Sequence, residues 1–322
     1  MTDARAFWIV EPGRGEIRDE PVPQPGGDDV VVRAIFSGIS RGTEALVFNG
    51  RVPPSEYERM RAPFQAGEFP APIKYGYANV GFVERGPRPF EERHVFVLYP
   101  HQSRYVVPGS SAYVLPDDVP PARAVLAANL ETAINGLWDA RPQIGDRIAV
   151  IGGGTVGCLV AWLAGKIAGS EVQLIDVNPR RAAIAETLGV AFAAPSDAAE
   201  HADVIIHTSG SAAGLDLALR IAAFETRIIE MSWYGAGPVP VSLGATFHSK
   251  RLSLISSQVG RVASSQRARW DHGRRMGLAL SLLKDPVLDA LITGESDFED
   301  LPSTLAKLSD SPGDTICHRI RY

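Results

Sequence analysis

The feature that most restricts this chain is the run Ile148-Ala149-Val150-Ile151-Gly152-Gly153-Gly154-Thr155-Val156-Gly157. An apolar strand-like stretch passes directly into glycines at 152, 154 and 157, and a helical run over 158–168 follows at once. A G-x-G-x-x-G pattern needs each glycine for its own reason. The first makes a tight turn, the second lets backbone approach a pyrophosphate, and the third lets helix and strand pack closely. The helix start, with Thr155 and Val156 in its first turn, then offers free N–H groups and a partial positive charge to phosphates. Asp176 ends the next strand-like run, 22 residues past Gly154. A carboxylate there accepts hydrogen bonds from ribose hydroxyls and repels a 2′-phosphate, which favours NAD over NADP. Arg180 and Arg181 follow closely and can serve a 2′-phosphate instead, so NADP stays open. The bland alternative is a strand–helix turn without a ligand; strand, helix and Asp176 together weigh against it.

From residue 122 onward the pattern alternates. An apolar helical stretch over 122–140 leads to the strand-like run 147–151, and then to 172–176, 179–188, 204–207, 215–224, 227–231 and 252–256. Strands spaced by helical segments indicate βαβ units and a parallel sheet. The ends of the later strands then line the nicotinamide half of a dinucleotide cleft, which brings Ser209, Ser232 and Gln258 into the cofactor set. Upstream, short β-branched and aromatic runs (6–10, 30–36, 80–83, 95–98 and 105–107) are broken by Gly and Pro clusters, as in a β-rich domain. Residues 49–71 read as a long loop or short helices. Downstream, 267–283 reads as a helix whose Arg267, Arg269, Arg274 and Arg275 make either a solvated face or an anionic-substrate patch. A short helix and a closing strand over 315–321 follow.

Composition narrows the class. At 322 residues the chain is sized for two domains. Hydrophobic residues at 45% and charged residues at 21% exclude disordered and fibrous classes. A net charge of −5 gives no general attraction to nucleic acid or anionic lipid. Two cysteines, Cys158 and Cys317, build neither a disulfide framework nor a four-thiolate zinc site. The N-terminus shows no basic stretch followed by an apolar core, and no apolar run reaches the ~18–20 residues of a membrane span. The expectation is a cytoplasmic protein with a small-molecule substrate, no nucleic-acid partner and no membrane.

In this arrangement the chain resembles the medium-chain dehydrogenase/reductase superfamily over nearly its full length. The resemblance implies an α/β protein with a GroES-like β-barrel catalytic domain (1–121 and 264–322) and a Rossmann doubly wound parallel sheet (122–263). It also implies an NAD(P)-dependent oxidoreductase and a homodimer. The segment Phe36-Ser37-Gly38-Ile39-Ser40-Arg41-Gly42-Thr43-Glu44 is similar to the corresponding stretch of bacteriochlorophyllide a dehydrogenases, which suggests an enzyme acting on a hydroxyethyl group as an alternative substrate reading.

The departures from the family pattern are informative. The position of the first zinc ligand holds Ser40; the ligand His of a G-H-E segment becomes Tyr77 in Gly76-Tyr77-Ala78; the third ligand position falls on Ala128. No cysteine occurs between Glu84 and Pro116, where a structural-zinc lobe would lie. None of these is a zinc ligand of the usual type, so no zinc of either kind is expected, although Glu44, His101 or Glu131 are donors a divergent site can recruit. By family position Tyr77 faces the substrate, as a hydrogen-bond donor and proton carrier or as an aromatic filler of the vacated space. Thr43 resembles the hydroxyl that opens the proton relay of alcohol dehydrogenases. Ser40 is a second hydroxyl candidate, and His101 is either structural or an acid/base. Arg41 matches a pyrophosphate contact and Thr132 a nicotinamide contact. The rival from another class is a dinucleotide-binding redox sensor without turnover.

Overall fold

The computed structural model describes residues 3–322. The chain divides into two compact units. One holds residues 1–128, 280–286 and 292–322; the other holds 129–279 and 287–291.

The first unit is built on strands β1 (Asp3–Glu11), β2 (Arg14–Pro21), β3 (Asp29–Ile39), the two-residue β4 (Ala66–Gly67) and β5 (Ile73–Lys74), β6 (Asn79–Arg85), β7 (His94–Val97), β8 (Arg104–Pro108) and β9 (Ala112–Val114). Helix α1 (Arg41–Phe48) follows β3 directly, and α2 (Pro121–Ala124) follows β9. Alternation dictates the barrel core: Val30, Val32, Val83, Val95, Val97, Tyr105 and Val107 point inward from four strands. Strand β2 carries almost no apolar signal and was not legible as a strand, yet it pairs antiparallel with β1 from Asp3↔Pro21 to Glu11↔Arg14. As an edge strand beside a patterned partner, it gains its ladder without supplying core side chains.

In the second unit, α3 (Ala127–Ala140), which begins just before the division, leads to β10 (Arg147–Ile151), α4 (Thr155–Ala164), β11 (Glu171–Ile175), α5 (Arg181–Thr187), β12 (Ala191–Ala193), β13 (Ala202–His207), α6 (Ala212–Ile221), β14 (Ala222–Glu230), β15 (Ser253–Ser256) and α7 (His272–Leu282). The six strands run in the order β12-β11-β10-β13-β14-β15, all parallel. Near-continuous apolar runs such as Ile148–Ile151 and Val204–Ile206 fit strands covered on both faces. Order reverses between β11 and β13 about β10, so the switch point falls at the carboxyl end of β10, where the glycines are. The chain then returns to the first unit as β16 (Ile292–Asp297), α8 (Leu301–Asp310) and β17 (Cys317–Arg321); β17 pairs with β3 from His318↔Ile39 to Arg321↔Phe36.

Three sequence expectations shift. The division lies at Ala128 rather than 121, because 121–128 packs on the barrel: a Cβ at Gly38 would sit 3.0 Å from the Val125 carbonyl oxygen. It lies near 279 rather than 263, because Arg275 is tied to Glu131 at 3.0 Å inside the second unit. The arginine helix begins at His272, where Asp271 accepts from Arg274 N at 2.7 Å. Arg267 and Arg269 therefore precede it, and Arg275, at 1% exposure, belongs to no solvated face. Among the described residues no helix is long and apolar enough to cross a membrane.

Candidate active site and dinucleotide site

In the first unit, β3 ends at Ile39 and Ser40 caps α1. One carboxylate oxygen of Glu44, in the first turn, reaches back to accept the Ser40 backbone N–H at 2.7 Å, a variant of the capping box one residue displaced. The other oxygen meets His101 Nε2 at 2.8 Å, and His101 Nδ1 meets Ser37 Oγ at 2.7 Å. Ser37 also bonds the Tyr322 hydroxyl at 3.0 Å. Ser37, Glu44 and His101 are all at most 2% exposed. A charged or polar group buried that deeply persists only with its bonds made, and here every ring nitrogen and carboxylate oxygen has a partner.

Tyr77 stands beside this cluster. The side chains of Ser40 and Thr43 lie close enough to its hydroxyl to favour the ionised form. Burial, then the negative charge of Glu44, push the phenol up to about 12 against those two side chains, so it is a neutral donor at pH 7. The loop that carries it needs Gly76: φ is +126°, and a Cβ there would lie 2.9 Å from the His101 ring. Ser40, Thr43, Tyr77 and His101, selected separately from sequence, thus form one contiguous polar constellation, with Glu44 as the member joining His101 to Ser40. Ser37 and Tyr322 were missed. Ser37 lies on a strand position that reads as ordinary alternation, and Tyr322 reaches it only through the β17–β3 pairing.

The donor set does not fit zinc. Ser40, Tyr77 and Ala128 offer neither imidazole nor thiolate, and both nitrogens of His101 are engaged. Among the described residues no group of three or more His, Cys, Asp or Glu is placed to hold a metal. Burial pushes the thiols of Cys158 and Cys317 up to about 12, which makes both poor thiolate donors.

In the second unit the glycine loop does fit a dinucleotide. Gly152 has φ of +110°, and a Cβ there would strike the Ser209 backbone at 2.7 Å. A Cβ at Gly157 would sit 1.8 Å from the Gly152 carbonyl oxygen, so no other residue lets α4 start so close to β10. A Cβ at Gly154 would meet nothing within 4 Å, which leaves the face at the start of α4, with Thr155 and Val156, open to a phosphate. Asp176 accepts from Gly153 N at 2.6 Å and Asn178 N at 2.7 Å, which fixes its carboxylate against the glycine loop. Arg181, mostly buried, packs against Gly153. Ser209 adjoins Gly152, and Ser232 Oγ accepts from Gly210 N at 3.1 Å. Gln258 is exposed past β15 and accepts from Gly260 N at 2.8 Å. Thr132 lies in α3, and Arg41 opens α1 in the other unit.

A parallel sheet switched at a glycine loop, together with a barrel unit completed by the returning chain, is the fold of the zinc-type, nucleotide-dependent dehydrogenases. The chain superposes on a protein of Sinorhizobium meliloti assigned as a zinc-binding dehydrogenase and bound to NADP, with a TM-score of 0.80 at 17% identity over the whole of both chains. It is 24% identical to an uncharacterized zinc-type alcohol dehydrogenase-like protein of Haemophilus influenzae, covering 96% of each chain. It is 26% identical to the 2-dehydro-3-deoxy-L-galactonate 5-dehydrogenase of Pseudoalteromonas atlantica, over 66% of this chain and 62% of that protein. No family model matches the chain.

Proposed function

We propose that this chain is an NAD(P)-dependent oxidoreductase of the medium-chain type that moves hydride between nicotinamide and a carbonyl, a secondary alcohol or an activated alkene, without a catalytic zinc. The observation that supports this reading is the buried Tyr77 phenol beside Ser40, Thr43 and Glu44, at a position where the resemblance puts a zinc ligand in zinc-bearing members. The dinucleotide supplies or accepts the hydride. The remaining task is to stabilise negative charge on the substrate oxygen, and a neutral phenol does that by donating a hydrogen bond that shortens as charge develops. In the reducing direction Tyr77 passes its proton to that oxygen and takes one from the Ser40 or Thr43 hydroxyl, which in turn takes one from solvent water. Glu44 and His101 hold the first turn of α1, and with it those two hydroxyls, in register.

The same reading takes a small-molecule substrate, works as a homodimer and sits in the cytoplasm. NAD is the preferred cofactor in this reading, supported by an Asp176 carboxylate that two backbone bonds fix beside the glycine loop and that would repel a 2′-phosphate. Asp176→Ala is expected to bring the NADH and NADPH dissociation constants together by at least tenfold; an unchanged ratio overturns the preference. Metal analysis of the purified protein is expected to show well under one zinc per chain, with turnover unaffected by a chelator. Stoichiometric zinc that supports turnover refutes the metal-free mechanism. A panel of alcohols, aldehydes, quinones and enones with both cofactors tests the activity itself, and tight NADH binding with no turnover on any of them supports a redox sensor instead. A second substrate reading has one observation behind it: the segment 36–44, which resembles bacteriochlorophyllide a dehydrogenases, is the one that carries Ser40, Thr43 and Glu44.

A further inference from the structure

A polar ladder runs along one face of α3. Glu131, Asn135 and Asp139 are spaced four residues apart, so their side chains stack on the same side of the helix. All three are turned to the stretch that follows β15. Ser257 Oγ donates to Asp139 Oδ2 at 2.7 Å, Ala263 N donates to Asn135 Oδ1 at 3.0 Å, and Arg275 Nε meets Glu131 Oε1 at 3.0 Å. Asn135 Oδ1 also accepts from Arg275 Nη1 at 2.5 Å. Both ends of the loop 257–263 are therefore tied to α3.

The tip of that loop is held from the first turn of α7. Arg275 Nη2 donates to the Val259 carbonyl at 2.6 Å, and His272 Nε2 donates to the Gly260 carbonyl at 3.2 Å. In a planar trans peptide the carbonyl and the following N–H point opposite ways. Drawing the Val259 carbonyl toward Arg275 therefore turns the Gly260 N–H outward, where the exposed Gln258 side chain accepts it at 2.8 Å. Arg261 N closes the turn on the Gln258 carbonyl at 3.3 Å. An apolar side chain would pack such a loop without the cost of burying an ion pair. What a guanidinium adds is direction. Its planar fork meets a carboxylate, an amide oxygen and a main-chain carbonyl at once, at 1% exposure.

Strand order says what the turn faces. In the dinucleotide reading one ribose lies by Asp176, on the β11 side of β10. The other nucleoside then extends toward the carboxyl ends of β13, β14 and β15, and the last of these runs into the loop. We propose that Arg275 is a positioning residue for the nicotinamide end of the cofactor. Anchored on Glu131 and Asn135, and assisted by His272, it fixes the orientation of the 258–261 turn against which that end rests. Arg275 itself touches no cofactor. The proposal rests on the dinucleotide reading above.

Calorimetry with NADH and ADP tests it, because the two share the adenosine diphosphate half and differ in the half that the turn faces. Arg275→Lys keeps a cation beside Glu131 but cannot span three acceptors in one plane. It is expected to weaken NADH on the order of tenfold while ADP stays within about twofold. His272→Ala, at an exposed side chain, frees the second carbonyl and is expected to show the same selectivity at about threefold. Equal losses for both ligands, or undiminished NADH affinity in Arg275→Lys, overturn the role and leave Arg275 a stability element alone. If Arg275→Lys gives no folded baseline in urea, His272→Ala decides: selective loss of NADH supports the role, and unchanged affinity overturns it. A wild-type chain that binds neither ligand is a different result, and it removes the dinucleotide reading along with the positioning role.

Discussion

Tyr77→Phe lowers kcat by about 100- to 1,000-fold on any substrate the wild-type enzyme turns over, while the NADH dissociation constant stays within about twofold. Removal of one oxygen keeps the ring and its edge-on contact with Tyr75 at 6.1 Å, so packing is conserved and only the donor is lost. The site then has Ser40 and Thr43 facing a void where a hydroxyl had been, and neither replaces a donor set on the substrate oxygen. Burial and the charge of Glu44 push the phenol up to about 12, so the wild-type rate is expected to carry no limb from Tyr77 ionisation below about pH 10. Steady-state kinetics and cofactor titration check both halves. A Phe variant with undiminished kcat makes Tyr77 a filler and leaves the hydride acceptor to be stabilised by another group.

The second large effect is on stability. Arg275→Met is expected to cost about 3–5 kcal/mol, the range for breaking a buried pair by removing one partner. Arg275 Nε meets Glu131 Oε1 at 3.0 Å, Nη1 meets Asn135 Oδ1 at 2.5 Å, and Nη2 meets the Val259 carbonyl at 2.6 Å. Burial already raises the Glu131 carboxyl more than Arg275 lowers it. A carboxyl raised in the folded state favours folding when protonated, and that advantage is lost as pH rises through its folded value. Without Arg275 the rise is larger, so the variant loses more at pH 7 than at pH 5, and Glu131→Gln in the same background restores part of the loss. Urea titrations at the two pH values read this directly; an unchanged midpoint at pH 7 refutes it.

The dinucleotide unit was largely legible because its signals are local. Glycine spacing, apolar runs and Asp176 each act within one βαβ turn, and the strand order follows from chirality and short connections. The polar constellation around Tyr77 was legible only in pieces. Ser40, Thr43, Tyr77 and His101 stood out by position, yet nothing in sequence says that Glu44 bridges His101 to Ser40, because that contact spans 57 residues. Arg275 was misread for a related reason: an arginine among arginines looks solvated until Glu131, 144 residues away, is seen to meet it. Glu230 ends an apolar strand as an acidic residue, a cue that the buried imidazole of His207, 2.7 Å away, was waiting for it, and it went unread.

The pairing of β17 with β3 has a bearing on how the protein is made. His318 sits opposite Ile39, so the strand that leads into Ser40 lacks its outer neighbour until nearly the whole chain has left the ribosome. Residues 129–279 can fold earlier, since their sheet draws on no later strand. Ordering so distant a pair is slow compared with closing the local βαβ turns. A nascent chain can therefore complete the parallel sheet that carries the glycine loop before β3 gains its outer neighbour and Ser37 its bond to Tyr322.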